Sequence, residues 1–170
     1  MIIVKKICII IILITSLAIA NYYVNLIKHK SIVVKQILLM IDSIEIYLTY
    51  EVLSIYEIFV KLKNGEQLNK LGFIDLYIDD CNNNNCIMNT SVLNYINNWK
   101  YVDEQDKENI KGFLSMLGKS DLNGQIINCK MYRDLFNRKL EQLELNEKTK
   151  IKSTLSIIIG IGIIISIVIM

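Results

Sequence analysis

A chain of 170 residues has room for one ordinary domain, and its 52% hydrophobic content with a mean hydropathy of +0.36 is high for a soluble one. Its 19 basic and 17 acidic residues nearly cancel, which excludes nucleic-acid binding driven by net charge.

The apolar excess lies at the two ends. From Ile7 to Ile27 the sequence reads "ICIIIILITSLAIANYYVNLI" and from Ser153 to Met170 "STLSIIIGIGIIISIVIM", both without a charge. Uncharged stretches of about 18 to 25 residues span a bilayer core as helices. The expected organisation is an N-terminal transmembrane helix over residues 1–27, a polar domain over 28–152 and a C-terminal transmembrane helix over 153–170. Lys28, Lys30 and Lys35 follow the first span and Lys148, Lys150 and Lys152 precede the second, against Lys5 and Lys6 on the other side. That bias places the central domain in the cytoplasm. A rival reading is a leader cleaved after Ala20, because Lys5-Lys6, an apolar run and "SLAIA" form such a pattern. The domain would then be extracytoplasmic, held by its C-terminal span, with a Cys81–Cys86 disulfide and, in a eukaryotic or viral host, a glycosylation acceptor at Asn89 in "NTS".

After the first span, apolar residues at Val34, Ile37, Leu38, Ile41, Ile44, Leu48, Val52, Ile55, Phe59 and Leu62 recur at spacings of three and four. They predict one helical face running on from the membrane to Asn64-Gly65. A shorter helix is predicted over Leu68 to Ile78, then a flexible asparagine-rich loop, "DDCNNNNCIMN". Thr90 or Ser91 caps a helix from Val92 to Tyr101, and Asp103 caps another from Glu104 to Leu117. The last helix begins at Ser120 or Asp121, carries Tyr132, Leu135, Phe136, Leu140 and Leu143 on one face, and runs toward the second span. The fold class is therefore all-α, an antiparallel helical bundle between two membrane helices.

No catalytic constellation is visible. His29 stands in "KHK" at the membrane border, where headgroups or water are its natural company. No glycine-rich phosphate loop follows a strand, so no ATP site is expected in this chain. Asp79 and Asp80 beside the asparagines do not have EF-hand spacing, and Cys81-x4-Cys86 lacks a second ligand pair for zinc. The expectation is a protein that is not an enzyme and carries no cofactor or metal. In the final span, Ser156 with Gly160 and Gly162 with Ser166 fit a small-xxx-small pattern for close helix approach.

Two stretches carry more specific information. "FLSMLGKSDLNGQ" places Gly118 and Gly124 around a Ser-Asp pair. Gly118 in the left-handed conformation would end one helix and Ser120 or Asp121 would cap the next, making a tight hairpin. Its Leu117, Gly118, Ser120, Asp121 and Gln125 match an "LG-x-SD-x-x-x-Q" motif. Upstream, "IEIYLTYEVLSIYE" matches an "LE-x-EI-x-Y-x-x-x-PL-x-E" pattern identically at Glu45, Tyr50 and Glu57, and by character at Ile44, Leu48 and Ile55. Together with the terminal spans, these motifs resemble the stage III sporulation protein AB family over essentially the whole chain. Two departures stand out: Tyr47 replaces the family's second glutamate, and Leu53-Ser54 replaces its usual Thr-Pro.

The resemblance implies a membrane component of the channel between mother cell and forespore, with a domain similar to the cytoplasmic domain of type II secretion F proteins. Its implied partners are a cytoplasmic ATPase resembling stage III sporulation protein AA, other membrane components of the channel, and membrane lipid. Within the chain, Glu45, Tyr50 and Glu57 admit two roles, a packing strip that pairs with Arg133 or Lys139 on the last helix, or a partner-binding strip; packing is favoured.

Overall fold

The computed structural model describes residues 2–84, 90–100 and 102–169. Cys86 and Asn89, singled out above, lie outside the described residues. Among the described residues the chain is helical without a strand: α1 (Ile2–Ile46), a π-helical segment (Tyr47–Glu51), α2 (Ile55–Asn64), a short 3-10 turn (Glu66–Leu68), α3 (Phe73–Asn84), α4 (Thr90–Asn97), α5 (Glu104–Met116) and α6 (Leu122–Ile169).

The chain divides into two compact units. One unites Met1–Ser31 with Gln142–Met170. Its apolar run in α1 is long and apolar enough to cross a membrane. Within this unit the Ser16 side chain lies against Gly162, where an added Cβ would stand 2.7 Å from Ser16 Oγ. Further along, the buried Ser31 hydroxyl donates to Glu147 Oε2 at 2.9 Å.

The second unit, Ile32–Glu141, holds the domain core. Ile37, Met40, Ile41 and Ile44, spaced as helix periodicity requires, are fully buried along α1. Phe59 from α2 stacks on Tyr77 from α3 with ring centroids 4.2 Å apart. Phe73 meets the Trp99 edge at 5.8 Å, and Phe113 of α5 meets Tyr132 of α6 at 5.4 Å. These contacts carry α2 onto α3, α3 onto α4 and α5 onto α6, and aromatic pairs of this geometry add about 0.5–1.5 kcal/mol each beyond area burial.

Several expected boundaries change. The single helical face predicted from Val34 to Leu62 is broken: α1 ends at Ile46, a π-helical turn follows, Val52 is left-handed (φ 50°, ψ 41°), and α2 starts afresh at Ile55. The apolar spacing survives the break because Leu48 and Ile55 both still reach the core, so periodicity alone did not reveal it. The helix predicted over Leu68 to Ile78 instead starts at Phe73 and continues to Asn84, absorbing the first asparagines of the predicted loop. Asp103 does stand at the N-cap of α5 but makes no side-chain cap hydrogen bond, because its carboxylate is taken by Lys139.

Candidate functional site

The α5–α6 hairpin assembles its motif residues into one lock. Leu117 is buried at the end of α5, and Gly118 follows with φ 73°, a conformation that costs other residues a Cβ clash. The Gln125 side chain reaches back across the turn, its Oε1 accepting from the Gly118 amide at 3.2 Å and its Nε2 donating to the Ser120 carbonyl at 3.1 Å. Asp121 caps α6 by accepting from the Gly124 amide at 3.0 Å. A Cβ on Gly124 would stand 2.8 Å from that carboxylate oxygen and 2.9 Å from the Ser120 Cβ. The second glycine is thus required by the cap that folds over it.

The upstream motif lies next to this hairpin: a Cβ on Gly118 would make ordinary contact with Ile55 Cγ1, at 3.6 Å. Its three matched residues separate into three roles. Glu57 closes a capping box on α2, accepting from the Ser54 amide at 2.9 Å and the Ser54 hydroxyl at 2.7 Å. Those hydrogen bonds from Ser54 hold the Glu57 carboxyl below its ordinary range. Glu45 faces α6, where Arg133 pairs with it and with Asp42. Tyr50 projects into solvent and is 81% exposed.

The break is made with serine at position 54 and no proline. In "SIYE", Ser54 and Glu57 have capping-box spacing, a signal readable in the sequence but masked there by the continuous apolar face. Around Tyr50 the break exposes further apolar surface, with Val52 71% and Ile46 53% exposed. Sequence reasoning counted Val52 among core positions, and a β-branched residue gives no warning of positive φ. The turn is braced from behind by Lys61, which pairs with Glu51 and sits 5.0 Å from the Tyr47 ring centroid. Tyr47 supplies that ring.

Two charge clusters fix α6 within the domain. Burial works against the Arg133 charge, but hydrogen bonds and attraction from Asp42 and Glu45 outweigh it and raise its pKa. Lys139, expected as a possible Glu45 partner, instead bonds Asp103 and the buried Asp106, each at 3.0 Å. Both clusters thus join carboxylates of α1 or the start of α5 to a basic side chain of α6. Cys129 is fully buried, and burial followed by the nearby Glu45 charge pushes its thiol up to about 12, unsuited to nucleophilic work. Among the described residues no group of His, Cys, Asp and Glu side chains has metal-site geometry.

A family model, stage III sporulation protein AB, matches residues 5–170. Among curated proteins and solved structures, no significant match is found. Coverage of nearly the whole chain takes in the hairpin lock, the broken helix and both apolar ends. The chain belongs to the stage III sporulation protein AB family, which gives it a role in stage III of sporulation.

Proposed function

We propose that this protein is a noncatalytic membrane scaffold of the channel between mother cell and forespore. It spans the membrane twice, keeps its helical domain in the cytoplasm, and recruits the ATPase of the complex. The observation that carries the docking role is the exposed apolar turn formed by Ile46, Tyr50 and Val52, held in a strained backbone beside the hairpin lock. A π-helical segment followed by a left-handed valine is retained at a cost, and it is this segment that presents Tyr50 and Val52 to solvent. Two spans packed antiparallel are supported by Ser16 against Gly162 and Ser31 against Glu147, since residue numbers rise on α1 as they fall on α6.

The test replaces Tyr50 with a photo-crosslinking amino acid in sporulating cells. Crosslinks to the stage III ATPase, absent when the probe is moved to the buried Ile58, are expected; crosslinks only to membrane proteins would remove the ATPase role. Tyr50→Ala with Val52→Asp is expected to abolish co-purification of the ATPase while helicity is retained.

A second reading has its own observation: Cys81 is disulfide-bonded, which fits an oxidising compartment outside the cytoplasm. Labelling of intact cells with a membrane-impermeant maleimide separates the two. Thiols at Cys81 and Cys86 that react only after lysis support the cytoplasmic domain. An oxidised pair, or labelling without lysis, supports the extracytoplasmic one.

A further inference from the structure

In α6, Lys148, Thr149, Lys152, Ser153 and Ser156 follow one another at spacings of one and three, so they form a single helical face, and together they line a concave volume of about 380 Å³. All five side chains are exposed. The face ends where the apolar run begins, with Ser156 followed by Ile157, Ile158 and Ile159. Two ammonium groups are thus set among three hydroxyls at the edge of an apolar stretch.

The charge on this face is not neutralised from within. Glu147, the carboxylate adjacent in sequence, turns to the buried Ser31 hydroxyl at 2.9 Å. Among the described residues no carboxylate pairs with Lys148, Lys150 or Lys152. In the helical domain Lys61, Lys63, Lys107, Lys111 and Lys139 each have a carboxylate partner, whereas Lys70, Lys100, Lys119 and Lys130 have none among the described residues, so what distinguishes the Lys148–Ser156 face is its place at the edge of the apolar run. Within the same unit, Lys28 is likewise exposed and has no carboxylate partner among the described residues.

We propose that the Lys148–Ser156 face binds the phosphate headgroup of an anionic phospholipid. The chemistry is complementary on both sides of the boundary. The lysines meet the phosphate charge, the Thr149, Ser153 and Ser156 hydroxyls donate to its oxygens, and the isoleucines that follow accompany the acyl chains. Zwitterionic lipid lacks the net charge that this face leaves unanswered. The proposal rests on reading the apolar end of α6 as a membrane span.

The test reconstitutes the full chain in nanodiscs of phosphatidylcholine containing phosphatidylglycerol as the minor lipid, and counts retained lipids by native mass spectrometry. Phosphatidylglycerol should be enriched about fivefold or more over its bulk share, an enrichment that falls as salt rises. Lys148→Gln with Lys152→Gln should return it to the bulk share, while Lys119→Gln with Lys130→Gln, which removes equal charge, should leave it unchanged. Thr149→Val with Ser153→Ala keeps the charge and should lower the enrichment in part, so the site is not judged on one variant. No enrichment in the wild type, or equal loss in the control pair, overturns the proposal. Ile163→Cys in a background lacking the native cysteines separates the two readings: a thiol protected from water-soluble maleimide in native membranes, with no lipid preference, loses only the headgroup site, whereas a thiol that is labelled loses the span and the site together.

Discussion

Val52 adopts a backbone that its side chain disfavours, and glycine would accept φ 50° freely. A β-branched residue in the left-handed region costs about 1–2 kcal/mol, and glycine gives back roughly 0.5–1 kcal/mol through the entropy of the unfolded chain. Val52→Gly is therefore expected to stabilise the domain by about 0.5–1 kcal/mol, read as a higher denaturant midpoint in micelles. Gly124 reverses the ordinary expectation. Helix propensity alone assigns glycine to alanine a gain of up to about 1 kcal/mol. The cap geometry predicts a loss, because the new Cβ would crowd Asp121 Oδ1 at 2.8 Å and displace a cap worth about 1 kcal/mol. A Gly124→Ala variant more stable than the wild type would contradict the lock described above. Glu57 gives a pH dependence of definite sign. Its folded pKa is lowered from 4.5 by the Ser54 hydrogen bonds, so its contribution is present above that value and is lost as pH falls through the folded value. Glu57→Gln should unfold earlier than the wild type at neutral pH, and the gap should close on acidification.

At the scale of elements, the long α6 is tied into the domain by charge as well as by its apolar face. Arg133 spans two carboxylates of α1, with Glu45 largely buried and Asp42 half exposed. Arg133→Ala leaves those two like charges facing each other without a counter-ion and should cost about 1–2 kcal/mol after discounting for solvent screening. Arg133→Lys should recover less than half of that, since one compact ammonium does not replace a planar fork that reaches both partners. Equal stability of the lysine variant and wild type would show that charge alone, without the fork geometry, holds the helices. The break between α1 and α2 belongs to the same scale. Ser54 and Glu57 start α2 without a proline, through a capping box.

For the whole molecule, the pairing of the two apolar segments within their unit is the arrangement most open to direct test. Ser16 lies against Gly162, and only small residues at both positions permit that approach. In a background lacking the native cysteines, Ser16→Cys with Gly162→Cys is expected to form an intramolecular disulfide in isolated membranes, while Tyr23→Cys with Gly162→Cys is not. Crosslinks between different chains alone would mean that these segments pair in trans. Membership of the stage III sporulation protein AB family and the exposed turn at Tyr50 together direct attention to assembly, and the buried thiol of Cys129 offers no competing chemistry.

The amino-acid sequence determined the helical class, the apolar segments, the family and the glycine hairpin, because each rests on local pattern: residue spacing, run length, or a backbone conformation that one residue type tolerates best. Gly118 was legible for that reason. Tertiary structure alone decided the rest. The break at Tyr47–Ser54 keeps Leu48 and Ile55 in the core and exposes Val52, so the apolar spacing hides it although Ser54 and Glu57 carry capping-box spacing. At that break Val52 is left-handed and Tyr50 stands in solvent, and the packing of α6 on α1 and α5 assigns Arg133 to Glu45 and Lys139 to Asp103 and Asp106. A helical repeat records which residues share a face, but a neighbour supplied from ninety residues away decides whether that face is covered, paired or left open.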